Sequence, residues 1–219
     1  MRLLLINGNT TQAITDRCAA AARAVASPGT EIVPLTAPRG PRVIGTRAEN
    51  AAAAGVMLEM LAAHADRCDA VLIAVSFDTA LDALRKAASV PVVGMTQAAL
   101  HVAAMLGGPI GFIAPGLRVQ DMYRDVVERA GFSGMIAAYC PLDMQPADFD
   151  DPSRLVSKVG ELANDLVTRD GAASVIVAGA ALSGLIGKVQ ANVNAPVVDG
   201  IAAGVVLAEA LVRLKGRNA

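Results

Sequence analysis

Aromatic residues are nearly missing from this chain, with four Phe, two Tyr and no Trp in 219 residues. A core without large rings must be filled by Ala, Val, Leu and Ile, and the hydrophobic fraction of 54% supplies them. That composition suits buried parallel strands covered by Ala-rich helices. Excess charge is missing too. A net charge of −1 and no run of Lys/Arg argue against nucleic acid as a main partner. No apolar stretch reaches the roughly 18 residues of a membrane span. Met1-Arg2 is followed by only four apolar residues, too few for a signal-peptide core. Neither a membrane nor a nucleic-acid partner is expected. Three scattered cysteines, Cys18, Cys68 and Cys140, form neither a disulfide framework nor a zinc motif. Two histidines with dispersed acids give no metal set. The expectation is a cytoplasmic protein with no metal and no cofactor.

What is present is alternation. LLLI (Leu3–Ile6), EIVPL (Glu31–Leu35), AVLIAV (Ala70–Val75), PVVG (Pro91–Gly94), IGFIA (Ile110–Ala114), MIAAY (Met135–Tyr139), SVIVAG (Ser174–Gly179) and PVVD (Pro196–Asp199) read as strands. Helical spacing runs over Thr11–Ala26, Glu49–Asp66, Val119–Ala130 and Arg154–Thr168, with a helix entry at Gly45–Gly55. This order predicts a mostly parallel, doubly wound α/β fold. The most polar loop is Gln145–Arg154.

VLIAVSFDTALDALRKAASVPVVGMTQAAL can be laid over VIVAGAALSGLIGKVQANVNAPVVDGIAAG, matching Val71-Leu72-Ile73 to Val175-Ile176-Val177. Ser76 then falls opposite Ala180. The repeat predicts two pseudo-symmetric lobes with parallel sheets and a cleft between them, where strand carboxyl ends meet. Approximate bounds are 1–97 plus 200–219 for one lobe and 98–199 for the other.

Four stretches could carry chemistry. In INGNTT, Asn7, Asn9, Thr10 and Thr11 surround a turning Gly8 and could hold a carboxylate or ureide oxygen, or simply cap a helix. In SFDT, Ser76, Phe77, Asp78 and Thr79 follow a strand. Ser76 as a nucleophile needs a base. His64 and His101 lie in helical patterns, and no G-x-S-x-G elbow exists. Asp78 or Thr79 could equally cap the helix that carries Leu81 and Leu84. In GAALSGL, Gly179, Ala180 and Ala181 offer backbone amides. In APGLRVQDMY, Arg118 could pair with a carboxylate and Tyr123 lies five residues on.

INGNTT resembles the Asn-Pro-Asn-Thr/Ser opening of the aspartate/glutamate/hydantoin racemase superfamily. VPVVGMTQAAL and APVVDGIAAGVVLAEAL resemble its hydantoin and allantoin racemase branch. The resemblance implies two α/β lobes and cofactor-free proton transfer at a carbon beside a carbonyl, with one cysteine on each side of the substrate. Here Ser76 and Ala180 stand at the matching positions, and Gly8 replaces the usual proline. A hydroxyl is a far poorer base than a thiolate, and a methyl is none. The resemblance therefore implies a hydantoin-racemase-like protein acting on a small ureide, cyclic imide or amino-acid-like acid by some other route. Ser76 is expected to hydrogen-bond in the cleft and Asp78 to move the proton. A decarboxylase, lyase or hydrolase variant and a non-catalytic ligand binder are the alternatives. The expected partner is a small molecule with carboxylate or ureide groups, and a homo-oligomer is expected.

Overall fold

The computed structural model describes residues 1–144, 148 and 151–216. The apolar runs form two four-stranded parallel sheets. Strands β1 (Arg2–Asn7), β2 (Glu31–Thr36), β3 (Ala70–Ile73) and β4 (Val92–Gly94) build the first, in the order β2-β1-β3-β4. Strands β5 (Ile110–Ala114), β6 (Ile136–Pro141), β7 (Ser174–Val177) and β8 (Val197–Asp199) build the second, in the order β6-β5-β7-β8. Near-continuous small and apolar residues suit the central strands, because β3, β5 and β7 are buried at every residue. Pro34 falls on β2, an edge strand, where its missing N–H costs no ladder bond. All eight predicted strands form, as does the α/β class.

Helices α1 (Gln12–Val25), α2 (Arg47–Ala62), α3 (Leu81–Ala87), α4 (Met95–Leu106), α5 (Gln120–Arg129), α6 (Pro152–Asp170), α7 (Ile186–Gln190) and α8 (Gly200–Gly216) lie between and after the strands. Thr46 and Glu49 make a capping box at the start of α2. The Thr46 hydroxyl accepts from Glu49 N, and Glu49 Oε2 accepts from Gly45 N at 2.9 Å. The α2 pattern stops before its predicted end. Leu61, Ala62 and Ala63 close the turn, and His64 lies beyond the helix with Nδ1 2.9 Å from Met60 O. Asp151 caps α6, with Pro152 in its first turn. Of the polar loop at 145–154, residues 145–147 and 149–150 lie outside the described residues.

The two sheets share several bonds at equivalent places, although the β5–β6 pairing alone carries a register shift, between Ile110 and Gly111. Ala74 N donates to Ile6 O at 2.8 Å, and Ala178 N to Ile113 O at 2.9 Å. Val71 N donates to Pro91 O, and Val175 N to Pro196 O, both at 2.9 Å. Ala37 N to Asn7 O is matched by Leu142 N to Ala114 O. Counting forward from these matches, Ser76 and Ala180 occupy equivalent places three residues past β3 and β7.

The final helix of each half crosses to the other. Helix α4 leaves β4 and packs on β7 and β8, while α8 leaves β8 and packs on β3 and β4. A Cβ at Gly204 would lie 2.4 Å from Leu72 Cδ1, so α8 approaches β3 closely. One apolar core therefore runs through both sheets, from Leu4 and Leu72 to Phe112, Ile176 and Val198. A second cluster, with Leu155, Val159 and Leu166 of α6, fills the outer face of the second sheet.

Candidate functional site

The carboxyl ends of the two sheets face each other across a cavity of about 360 Å³. Its first wall carries Asn9, Thr11, Val75, Ser76 and Phe77, and its second carries Pro115, Tyr123, Gly179, Ala180 and Ala181. The two pseudo-equivalent positions touch. Ala180 N donates to Ser76 Oγ at 2.9 Å, closing a bond between the lobes. Ser76 is only 5% exposed, and its Oγ also lies 3.7 Å from Met95 Sδ at the start of α4.

Tyr123 reaches this point from α5. Its ring packs on Phe77 at 4.7 Å and on Phe112 at 5.4 Å between centroids. Burial pushes its phenol well above the usual tyrosine range, opposed by its hydrogen bond with Ser76. The phenol therefore stays protonated at neutral pH.

The INGNTT residues divide into scaffold and wall. Asn7 is fully buried and does not line the cavity. Its Nδ2 donates to Asn9 Oδ1 at 3.1 Å and Thr15 Oγ1 at 2.9 Å, and its Oδ1 accepts from Asn9 N. Asn9 Oδ1 in turn accepts from Thr11 N at 3.0 Å. Thr10 N donates to Pro41 O, and the Thr11 hydroxyl donates to Arg42 O at 2.7 Å. These bonds pin the segment after Pro41, so that Val43, Ile44 and Gly45 join the cavity wall. A Cβ at Gly8 would meet Met57 Sδ at 2.6 Å, so a side chain there requires Met57 to shift.

Asp78 does something other than what its position suggested. It neither caps α3 nor lines the cleft. Its carboxylate accepts from Thr96 N at 3.0 Å and Gln97 N at 2.7 Å, capping α4 from a loop 18 residues upstream. The Thr96 hydroxyl donates to Ser76 O at 2.6 Å, so the same helix end also anchors the serine backbone. Burial raises the Asp78 pKa to about 7, against the pull of those two amides and of Arg85 and Arg129. The carboxyl lines a separate cavity of about 180 Å³ that shares Phe77 with the cleft. Thr79 also faces that second space, donating to Asn50 Oδ1 at 2.5 Å. Asp78 and Ala80 both have left-handed backbones, with φ of 48° and 58°, which marks this loop as strained.

Arg118 is exposed on a 3-10 turn and does not line the cleft. The arginine that does is Arg17, whose Nη1 donates to Ala181 O at 3.2 Å. Its place one turn beyond Ala13 and Ile14 on α1 is the signal that could have found it. Cys18, its neighbour, lies behind Ala180 with Sγ 3.4 Å from Ala180 O. Burial, reinforced by Asp199, pushes the Cys18 thiol up to about 12 and holds it protonated. Among the described residues, no group of three or more His, Cys, Asp or Glu is placed to hold a metal ion. No helix among them is long and apolar enough to cross a membrane.

The Asp/Glu/hydantoin racemase family model matches residues 3–208. The chain is 30% identical over 217 residues to a hydantoin racemase of Paenarthrobacter aurescens, covering 98% of this chain and 92% of the relative. It superposes on the allantoin racemase from Klebsiella pneumoniae with a TM-score of 0.93 at 32% identity, covering 98% of this chain and 89% of that one. A variant of arylmalonate decarboxylase shares the fold at a TM-score of 0.69 and 16% identity, over 97% of this chain and 94% of its own. The two parallel sheets, the crossed helices and the cleft at their carboxyl ends agree with that kinship, and the chain belongs to the Asp/Glu/hydantoin racemase family.

Proposed function

We propose that the protein is a hydantoin-racemase-like enzyme that binds a small ureide, cyclic imide or amino-acid-like acid between its lobes. It acts at a carbon beside a carbonyl, without a cofactor and without an opposed pair of thiols. The observation that carries this reading is the 2.9 Å contact between Ser76 and Ala180, the symmetric strand ends at the cleft wall. The relatives by name act on hydantoins and allantoin, which are cyclic ureides. Asn9, Thr11 and the Gly179–Ala181 backbone supply hydrogen-bonding groups suited to such rings.

A hydroxyl on one wall and a methyl on the other permit proton transfer to one face only. The buried Tyr123 phenol, bonded to Ser76, is an acid and not a base at neutral pH. This favours a decarboxylation as the second reading. The C–C bond to a carboxylate breaks, CO₂ leaves, and the electron pair stays on the α-carbon as an enolate. The Ser76–Tyr123 pair then places a proton on that carbon and regains one from water. Asp78 is not given the proton here, because its carboxyl is committed to α4.

The test restores what the relatives' positions imply. The double variant Ser76→Cys with Ala180→Cys and the parent are incubated in D₂O with enantiopure 5-benzylhydantoin, hydantoin-5-acetic acid and phenylmalonate. The variant is expected to exchange the α-hydrogen and lose optical rotation with at least one hydantoin. The parent is expected to act on one face only, seen as exchange with retained rotation or as CO₂ release. A folded variant that racemises none of these, beside a parent that turns none over, would sink the reading. Binding of a hydantoin without turnover by the parent would leave a ligand binder.

A further inference from the structure

Arg17 is the only charged side chain among the described residues that line the cleft. The rest of its surroundings are mostly apolar, including Ile14, Val43, Val119 and Leu182. Among the described residues its single hydrogen bond runs to the Ala181 carbonyl, and no carboxylate pairs with it. A guanidinium keeps its charge at any working pH and presents five donors in a flat fork. One donor used on the wall leaves the others for a ligand.

The position of that charge is fixed relative to the reacting wall. Ser76 is bonded to Ala180 and Arg17 to Ala181, adjacent residues whose Cα atoms stand about 3.8 Å apart. A five-membered ring held at Ser76 would therefore bring a short substituent within reach of the guanidinium.

Building on the function proposed above, we infer that Arg17 selects a substrate whose ring carries a carboxylate on a short arm. The neutral hydantoins are then poorer ligands, and Arg17 is the specificity-determining residue. It holds the anionic arm while Ser76 and the Ala180 backbone hold the ring.

Titration calorimetry with hydantoin-5-acetic acid and its uncharged isostere hydantoin-5-acetamide tests this. The parent is expected to bind the acid about tenfold more tightly than the amide. In Arg17→Met the affinities for acid and amide are expected to converge, the tenfold ratio falling to about one. Arg17 is exposed on α1, so the variant is expected to fold, which an unchanged circular dichroism spectrum would verify. A parent that binds both ligands equally overturns the inference and leaves the proposed function standing. So does a variant that keeps the parent's preference. Failure of the parent to bind either ligand overturns the inference, and the proposed function falls with it only where the exchange and CO₂-release assays fail as well.

Discussion

At the scale of single residues, the buried carboxyl of Asp78 makes the clearest prediction. Its folded pKa of about 7 lies above the ordinary aspartate value of 3.8, so the folded state holds the proton more tightly than the unfolded chain. The stability linked to it is full below about pH 4 and is lost as pH rises through about 7. Carboxylates held low act in the opposite sense and below that window, as Glu49 does where the Gly45 amide bonds it. Replacing Asp78 with Asn removes the titrating proton. The melting temperature of the parent, relative to that of Asp78→Asn, is therefore expected to fall between about pH 4 and 7, and a constant difference would contradict this. Residue types at the site were legible in the chain, but their partners were not. SFDT announces a polar strand end, yet nothing within it shows that Asp78 bonds amides 18 residues away. Arg118 sits between Leu117 and Val119 and Arg17 on the first helix, and it is the packing of α1 against the second wall that puts the latter at the cleft.

At the scale of elements, the two halves solve one capping problem in two ways. In the second half, Asp199 stands at the end of β8. Its Oδ1 accepts from Ile201 N at 2.7 Å and Ala202 N at 3.3 Å, and its Oδ2 accepts from Gly184 N. In the first half the matching residue is Gly94, and the carboxylate arrives from Asp78 instead. A Cβ at Gly94 would lie 2.4 Å from Asp78 Cγ, so the borrowed cap fills the space that a side chain there would need. Gly94→Asp alone is expected to cost about 1–3 kcal/mol through overpacking beside a like charge. Adding Asp78→Gly, which also relieves a left-handed backbone, is expected to return most of that loss. Denaturant midpoints of the two single variants and the double would measure the coupling, and simple additivity would refute the shared cap. The strands were readable because short apolar runs between turn residues leave few alternatives. The helix around His101 was readable as well. What periodicity could not tell is which sheet α4 covers, since an Ala-rich helix buried among several neighbours carries no single apolar stripe.

At the scale of the whole molecule, the lobes share too much to act independently. The core runs through both sheets, α4 and α8 are exchanged, and the Ser76–Ala180 bond closes the cleft. The chain is therefore expected to unfold in one cooperative transition, with equal calorimetric and van't Hoff enthalpies. Two resolved transitions would show that the lobes are separable. The repeat was visible as Val71–Ile73 over Val175–Val177, and it carried the pairing of Ser76 with Ala180. The exchange of helices has a bearing on how the protein is made. A ribosome delivers β3 and β4 more than a hundred residues before the helix that covers them, so Leu72 must wait for Gly204. During that interval the first sheet can form but not bury its face. The nascent chain is thus most exposed to mispairing in the middle of its synthesis, well before the cleft exists.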